Sequence, residues 1–202
     1  MPHIDLAALV KLVGYPGLFT IIYAESGLPI GFFLPGASIL FTAGFLASQG
    51  ILDIVILAPL VAIAAILGDT TGYWLGAKWG VKLFERPDSH FFKHEHLIRT
   101  KHFYEKYGPR TVFLGRFVPI VRTFVPILAG VGSMPYGMFL RYNILGGLIW
   151  GTGITVLGYF LGESVPGIEQ YVTLVIIGIV AVTSLPLILP YLRRLKSIIK
   201  SN

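Results

Sequence analysis

The sequence contains no cysteine, which rules out disulfides, thiolate metal ligands and thiol catalysis, and leaves the redox compartment unspecified. Charge is scarce as well: Asp, Glu, Lys and Arg make up 13% of the 202 residues, about half the share usual in soluble domains. There is no P-loop lysine, no nucleophile elbow and no convincing Ser, His, Asp set, so hydrolase and nucleotide-driven chemistry lack their residues. The start, Met1-Pro2-His3-Ile4-Asp5, lacks the basic region of a cleavable signal peptide. The first apolar segment is therefore read as part of the mature protein.

What is abundant is apolar sequence. Hydrophobic residues form 54% of the chain and the mean hydropathy is +0.75, more than a soluble core of this size can hide. A spanning helix needs roughly 20 mostly apolar residues, and the stretches 54–73, 139–161 and 171–191 meet that requirement. The stretches 14–48 and 111–132 are apolar but interrupted by Pro, Gly and isolated charges.

The net charge of +6 is concentrated: eight of the sixteen Lys and Arg lie within 78–110, and four more are Arg193, Arg194, Lys196 and Lys200. Basic segments beside apolar spans follow the positive-inside pattern, which puts 78–110 and the C-terminus in the cytoplasm, facing anionic headgroups rather than nucleic acid. Between two cytoplasmic segments the chain crosses an even number of times. Since 139–161 and 171–191 supply two crossings, 111–132 has to dip into the bilayer and return.

Pro119 and Pro126 each remove a helical donor there, and Gly130 and Gly132 permit a turn. The first interrupted stretch has the same grammar, with Pro29, Pro35 and Gly36 as its breaking residues. Pro29-Ile30 recurs as Pro119-Ile120, at an offset of 90, and Gly72-Tyr73-Trp74-Leu75-Gly76 as Gly158-Tyr159-Phe160-Leu161-Gly162, at an offset of 86. Two repeats with one crossing between their hairpins enter from opposite faces, the inverted-repeat plan of many transporters.

The expected fold is all-α and integral to the membrane: an inverted repeat of two broken re-entrant helical hairpins, three or four spanning helices and interfacial helices. A single domain is expected over 1–202, with repeat one at about 14–80, a basic loop at about 78–110, repeat two at about 111–162 and a last span at 171–191. Interfacial helices are expected within 84–107, and 4–13 reads as either an interfacial helix or the start of a span.

Glu25, Arg116 and Arg122 lie in the interrupted stretches. A charge at the bilayer centre costs at least ~2.5 kcal/mol on insertion scales, so such groups face a cavity or a partner. Arg116 and Arg122 are six apart, about 120° around an unbroken helix, and the break at Pro119 lets both aim inward. A guanidinium stays protonated and matches phosphate or carboxylate geometry. The bland reading is that the arginines pair with Glu25 and hold the hairpins together, and the two readings are compatible.

Glu25 is also a candidate proton carrier, and Asp69 and Asn143 are candidates to line the cavity, with Asp69 equally placeable at the solvated rim. Arg141 is expected to snorkel to the headgroups and Trp150 to be packing. His90 and His94 have i, i+4 spacing, but no further ligand completes a metal set, so His90, His94, His96 and His102 read as a surface loop. No metal or cofactor is expected.

At these residues the chain resembles the DedA family of bacterial membrane proteins, related to the eukaryotic VTT-domain (SNARE-associated Golgi) proteins. The resemblance rests on Glu25-Ser26-Gly27-Leu28-Pro29-Ile30-Gly31 through Pro35-Gly36, on Gly68-Asp69-Thr70-Thr71-Gly72-Tyr73, and on Gly115-Arg116-Phe117-Val118-Pro119-Ile120-Val121-Arg122-Thr123. Ala129-Gly130-Val131-Gly132-Ser133-Met134, running on to Phe139 and Asn143, extends it over nearly the whole chain.

The resemblance implies opposed re-entrant hairpins in the bacterial inner membrane and movement of lipids across the bilayer. Bacterial members are associated with recycling undecaprenyl phosphate, the carrier lipid of cell-wall precursors, and eukaryotic relatives with phospholipid scrambling. Glu25, Arg116 and Arg122 would be the functional charges. Ala37 is a departure, because members often carry an acidic residue after the first Pro-Gly, and Asp69 is a candidate substitute in any proton coupling.

The leading expectation is a non-enzymatic translocase of a polyprenyl phosphate. The alternatives are a phospholipid scramblase, a proton- or cation-coupled transporter of the same fold, a lipid-phosphate enzyme and a structural scaffold.

Overall fold

The computed structural model describes residues 6–29, 31, 35–80 and 108–165, with the single positions 174 and 178. The expected span at 171–191, the surface helices within 84–107 and the four histidines of that loop lie outside the described residues, apart from those two positions. Among the described residues all regular structure is helical.

Helix α1, Leu6–Gly27, is two helices fused across Gly14, whose φ of 56° and ψ of −159° interrupt the spiral. Glycine alone takes that backbone without a Cβ penalty, and Pro16 then begins the second piece, where its missing N–H costs no helical bond. The segment 6–13 is thus helical and joins 15–27 through a kink.

Helix α2 runs over Gly36–Ser48. Helix α3, Ile54–Leu75, is capped by Asp53, whose carboxylate accepts from the Val55 N–H at 2.8 Å. It continues as a π-helical turn, Gly76–Gly80.

In the second half, the short α4, Arg110–Gly115, is followed after three residues by α5, Pro119–Val131. Proline suits the first position of α5, where no helical donor is lost. Helix α6, Tyr136–Gly147, passes through a π-helical turn, Leu148–Thr152, into α7, Gly153–Ser164. Among the described residues, two continuous helices are long and apolar enough to cross a membrane: Ile54–Gly80, 27 residues, and Tyr136–Ser164, 29 residues. They contain the stretches 54–73 and 139–161. Leu67, Trp74, Leu145, Ile149 and Phe160 are exposed on them, as lipid-facing side chains are.

Two sequence expectations need correction. Pro126 does not break a hairpin: it sits inside α5, since a single missing donor is tolerated where neighbouring helices support the backbone. Nor does Gly130 form a turn. It is helical, and a Cβ there would overlap the Tyr73 carbonyl. The chain turns after it, with Gly132 as the C-cap and Ser133 at φ 57°.

The packing repeats across the two halves. Helix α5 lies against α3 and its π turn, while α2 lies against α7. Each crossing brings backbones together through two glycines, Gly130 on the Tyr73 carbonyl with Gly76 on that of Ile127, and Gly44 on the Thr155 carbonyl with Gly158 on that of Phe41. The short-helix positions correspond at an offset of 86 (Gly44 to Gly130, Phe41 to Ile127) and the long-helix positions at 82 (Tyr73 to Thr155, Gly76 to Gly158).

The structural partner of Gly158 is therefore Gly76, one helical turn from the Gly72 that the sequence match pairs with it. Each short helix docks on the long helix of the other half, which ties the halves into one body.

Two apolar clusters fill the interior. One gathers Leu18 and Ile22 of α1, Leu40 and Phe41 of α2, and Leu57 of α3 around Trp150; the other gathers Tyr73, Val125, Ala129 and Phe139. The Tyr73 hydroxyl is buried and donates to the Met134 carbonyl, which satisfies the one polar atom its ring carries inward.

Candidate functional site

The breaks in both halves bring charge into the interior. Glu25 lies in the last turn of α1 and is fully buried. Its Oε1 accepts from the backbone N–H of Gly36 at 3.0 Å. Gly36 opens α2, and Pro35 before it offers no side-chain cap, so Glu25 serves as the anion at that helix N-terminus, where free N–H groups and the helix dipole favour negative charge. A Cβ on Gly36 would overlap the carboxylate. Gly36 is thus more than a chain breaker, because its lack of a side chain makes the seat for Glu25.

The same carboxylate oxygen pairs with Arg122, in the first turn of α5. Glu25 therefore joins α1, α2 and α5. Arg122 also has an aromatic neighbour: its guanidinium carbon lies 4.5 Å from the ring centroid of Trp150, which is buried in the π turn after α6.

Arg116, just past the end of α4, forms the second centre. Its Nη2 pairs with Asp69 on α3 and lies 3.3 Å from the Ala65 carbonyl and 3.2 Å from Asn143 Oδ1. Asn143 in turn donates to the Ile66 carbonyl at 3.0 Å and lies 3.4 Å from the Thr70 hydroxyl. Space for the guanidinium comes from Gly147, where a Cβ would lie 2.8 Å from Nη1.

Glu25, Asp69, Arg116 and Arg122 sum to zero, and each cation has a carboxylate, the arrangement that makes buried charge tolerable. Two buried polar atoms of the set have no hydrogen-bond partner among the described residues, Glu25 Oε2 and Arg116 Nη1.

Asn143 touches Arg116 and Trp150 lies under Arg122. These two residues are seven apart, two turns of one helix, so both arginines meet the same helix face roughly 10 Å apart along its axis.

The sequence candidates are thus sorted. Glu25 meets Arg122, while Arg116 meets Asp69 and Asn143. Asp69 is buried rather than at a solvated rim. Pro29 lies in the break between α1 and α2, Pro35 precedes α2 and Pro119 opens α5, while Pro126 takes no part in a break. Arg141 is exposed, and Ala37 is partly buried against the first apolar cluster. Trp150, read as packing, is the residue that sequence reasoning missed. The signal for it was an indole on the same face of one span as Asn143.

Paired buried charges at helix breaks, beside two long apolar helices, define an α-helical membrane protein with a charged interior. Residues 34–160 match the VTT domain family. Protein DedA of Escherichia coli K12 is 44% identical over 198 residues, covering 95% of this chain and 90% of that protein. An uncharacterized membrane protein of Mycobacterium tuberculosis H37Rv is 47% identical over 173 residues, 85% of this chain and 75% of its own. Another, from Synechocystis, is 39% identical over 171 residues, 83% and 75%. No solved structure matches the chain. The chain belongs to the DedA family of VTT-domain membrane proteins. The names of the mycobacterial and Synechocystis relatives describe membrane proteins, and none of the three names states an activity.

Proposed function

We propose that the protein is a lipid translocase of the bacterial inner membrane that moves a polyprenyl phosphate, such as undecaprenyl phosphate, in carrier-lipid recycling. The observation that carries this reading is the pair of inward guanidiniums, Arg116 buried and Arg122 largely so, each neutralised by a carboxylate, of which Glu25 on Arg122 is the one that a phosphate group can replace. A phosphate monoester brings about −1.5 to −2 charge at pH 7 and three acceptor oxygens, so it outcompetes a single carboxylate for an arginine fork. Arg122 exchanges Glu25 for the headgroup, and Arg116 offers the buried Nη1–H that has no partner. The isoprenoid tail stays in lipid.

The short helices support the movement. At 13 residues each, α2 and α5 extend only ~20 Å, short of the ~30 Å hydrocarbon core. Each therefore enters the bilayer and turns back as half of a re-entrant hairpin, the two from opposite faces. Broken helices with a site at mid-depth are the construction of alternating-access transporters. The basic loop 78–110 and the C-terminus lie on the cytoplasmic side under this reading.

A proton- or cation-coupled exchanger of the same fold is the second reading, favoured by Glu25 Oε2, buried without a partner. Both are tested by the binding of purified protein to undecaprenyl phosphate against the matching polyprenol. The proposal expects the phosphate to bind at least tenfold tighter, with most of that preference lost in Arg122→Ala and part of it in Arg116→Ala. Equal binding of phosphate and alcohol in every case removes the headgroup role and leaves the exchanger.

A further inference from the structure

We infer that Trp150 is a positioning residue that holds the Arg122 guanidinium in the site while its anionic partner changes from the Glu25 carboxylate to a phosphate group; this rests on the headgroup reading above. Two features of Arg122 carry the inference.

First, its partners among the described residues are few. Arg116 is held by Asp69, Asn143 and a backbone carbonyl, so it keeps its place whatever binds. Arg122 has an ion pair with Glu25 and the face of Trp150. If Glu25 withdraws from it, a cation in a low-dielectric interior needs another source of negative potential or it leaves for the interface. The indole face supplies that potential and, unlike a carboxylate, does not compete for the N–H fork. With its carbon 4.5 Å from the ring centroid, the guanidinium keeps N–H donors of its fork for a phosphate.

Second, the backbone is adapted to place this indole. Trp150 lies in the π-helical turn Leu148–Thr152, and such single-turn insertions recur at functional sites. The ring is 3% exposed, so its attraction for a cation is little screened by water. A Trp needed only for volume has no use for a π turn or for a cation over its face.

The test uses the native Trp150 as its own reporter. The chain has three tryptophans, and the other two, Trp74 and Trp79, are 54% and 61% exposed, so Trp74→Phe with Trp79→Phe leaves Trp150 as the sole emitter in the full-length protein. Purified in detergent, this background is titrated with geranylgeranyl phosphate, geranylgeraniol and inorganic phosphate, and binding is measured in parallel by calorimetry.

A saturable change in Trp150 emission with the lipid phosphate alone is expected, absent when Arg122→Ala is added. In the otherwise wild-type chain, Trp150→Phe, which keeps a π face, is expected to bind the lipid phosphate within about threefold of wild type. Trp150→Leu is expected to weaken binding by about tenfold, the effect of a desolvated cation–π contact.

Calorimetric binding of the lipid phosphate with no emission change, and with Trp150→Leu binding like wild type, overturns the role of Trp150 and leaves the headgroup reading standing. An emission change equal for lipid phosphate and inorganic phosphate supports the seat but assigns it to a soluble anion, against the lipid reading. Indistinguishable binding of the phosphate and the alcohol overturns both.

Discussion

Asp69→Ala is expected to destabilise the protein by about 3–5 kcal/mol, because it strands the Arg116 guanidinium with no other anion among its described neighbours. Arg116 is 5% exposed and its remaining neighbours are a backbone carbonyl and the Asn143 amide oxygen, which accept hydrogen bonds but carry no net charge. The effect spreads, because Asn143 also bonds the Ile66 carbonyl and lies near Thr70 on α3, so one network holds α3, α6 and the break after α4.

Thermal unfolding in detergent measures the loss. A transition within a degree of wild type would show that the pair contributes little. The double variant Asp69→Leu with Arg116→Met removes both charges together and is expected to recover most of the stability, since buried ion pairs replaced by apolar side chains of similar volume often cost little. If Arg116 donates to a phosphate, this stable double variant binds polyprenyl phosphate more weakly than wild type, which separates the brace from the ligand role.

Gly36→Ala is the second large effect, and it comes from a single methyl group. The added Cβ falls on the Glu25 carboxylate, and backbone fixes the Cβ, so the carboxylate has to move. Moving it removes the anion from the α2 N-terminus and the partner from Arg122. A loss of stability of about 1–3 kcal/mol, as for overpacked cores, and a drop of at least tenfold in lipid movement are expected. Gly137→Ala is the matched control, since its Cβ meets nothing within 4 Å and alanine favours the helix. Wild-type activity in Gly36→Ala would mean that Glu25 has another resting place.

The parts legible in sequence were those with a local cause. The spans at 54–73 and 139–161 follow from hydropathy and length, and reappear inside Ile54–Gly80 and Tyr136–Ser164. The interruptions at 28–35 and 116–118 follow from proline and glycine chemistry, and lie beside Pro29, Pro35 and Pro119. Glu25, Arg116 and Arg122 stood out because isolated charges in apolar stretches are costly.

Partner choice was not legible. Arg116 finds Asp69 across 47 residues, and only the packing of α4 on α6 and of α6 on α3 decides that pairing. Pro126 looked like a breaker because its own chemistry forbids one helical bond, whereas the surrounding bonds and the packing of α5 on α3 hold the helix through it. The repeat was visible as short matches, but its long-helix register came out one turn away, at Gly76 and Gly158, because close backbone approach follows packing geometry rather than sequence identity. Trp150 offered only its spacing from Asn143 along one span, since nothing in its neighbours in sequence announces the π turn or the cation over its ring.

The most direct test is transbilayer movement of a polyprenyl phosphate in liposomes containing the purified protein, beside liposomes with Arg122→Ala and liposomes without protein. Phosphatidylcholine and the matching polyprenol serve as alternative cargoes. A translocase of phosphate-bearing lipid moves the phosphate faster than either alternative, and Arg122→Ala brings the rate down to that of protein-free membranes. Equal movement of all three lipids, or a rate unchanged by Arg122→Ala, would contradict it.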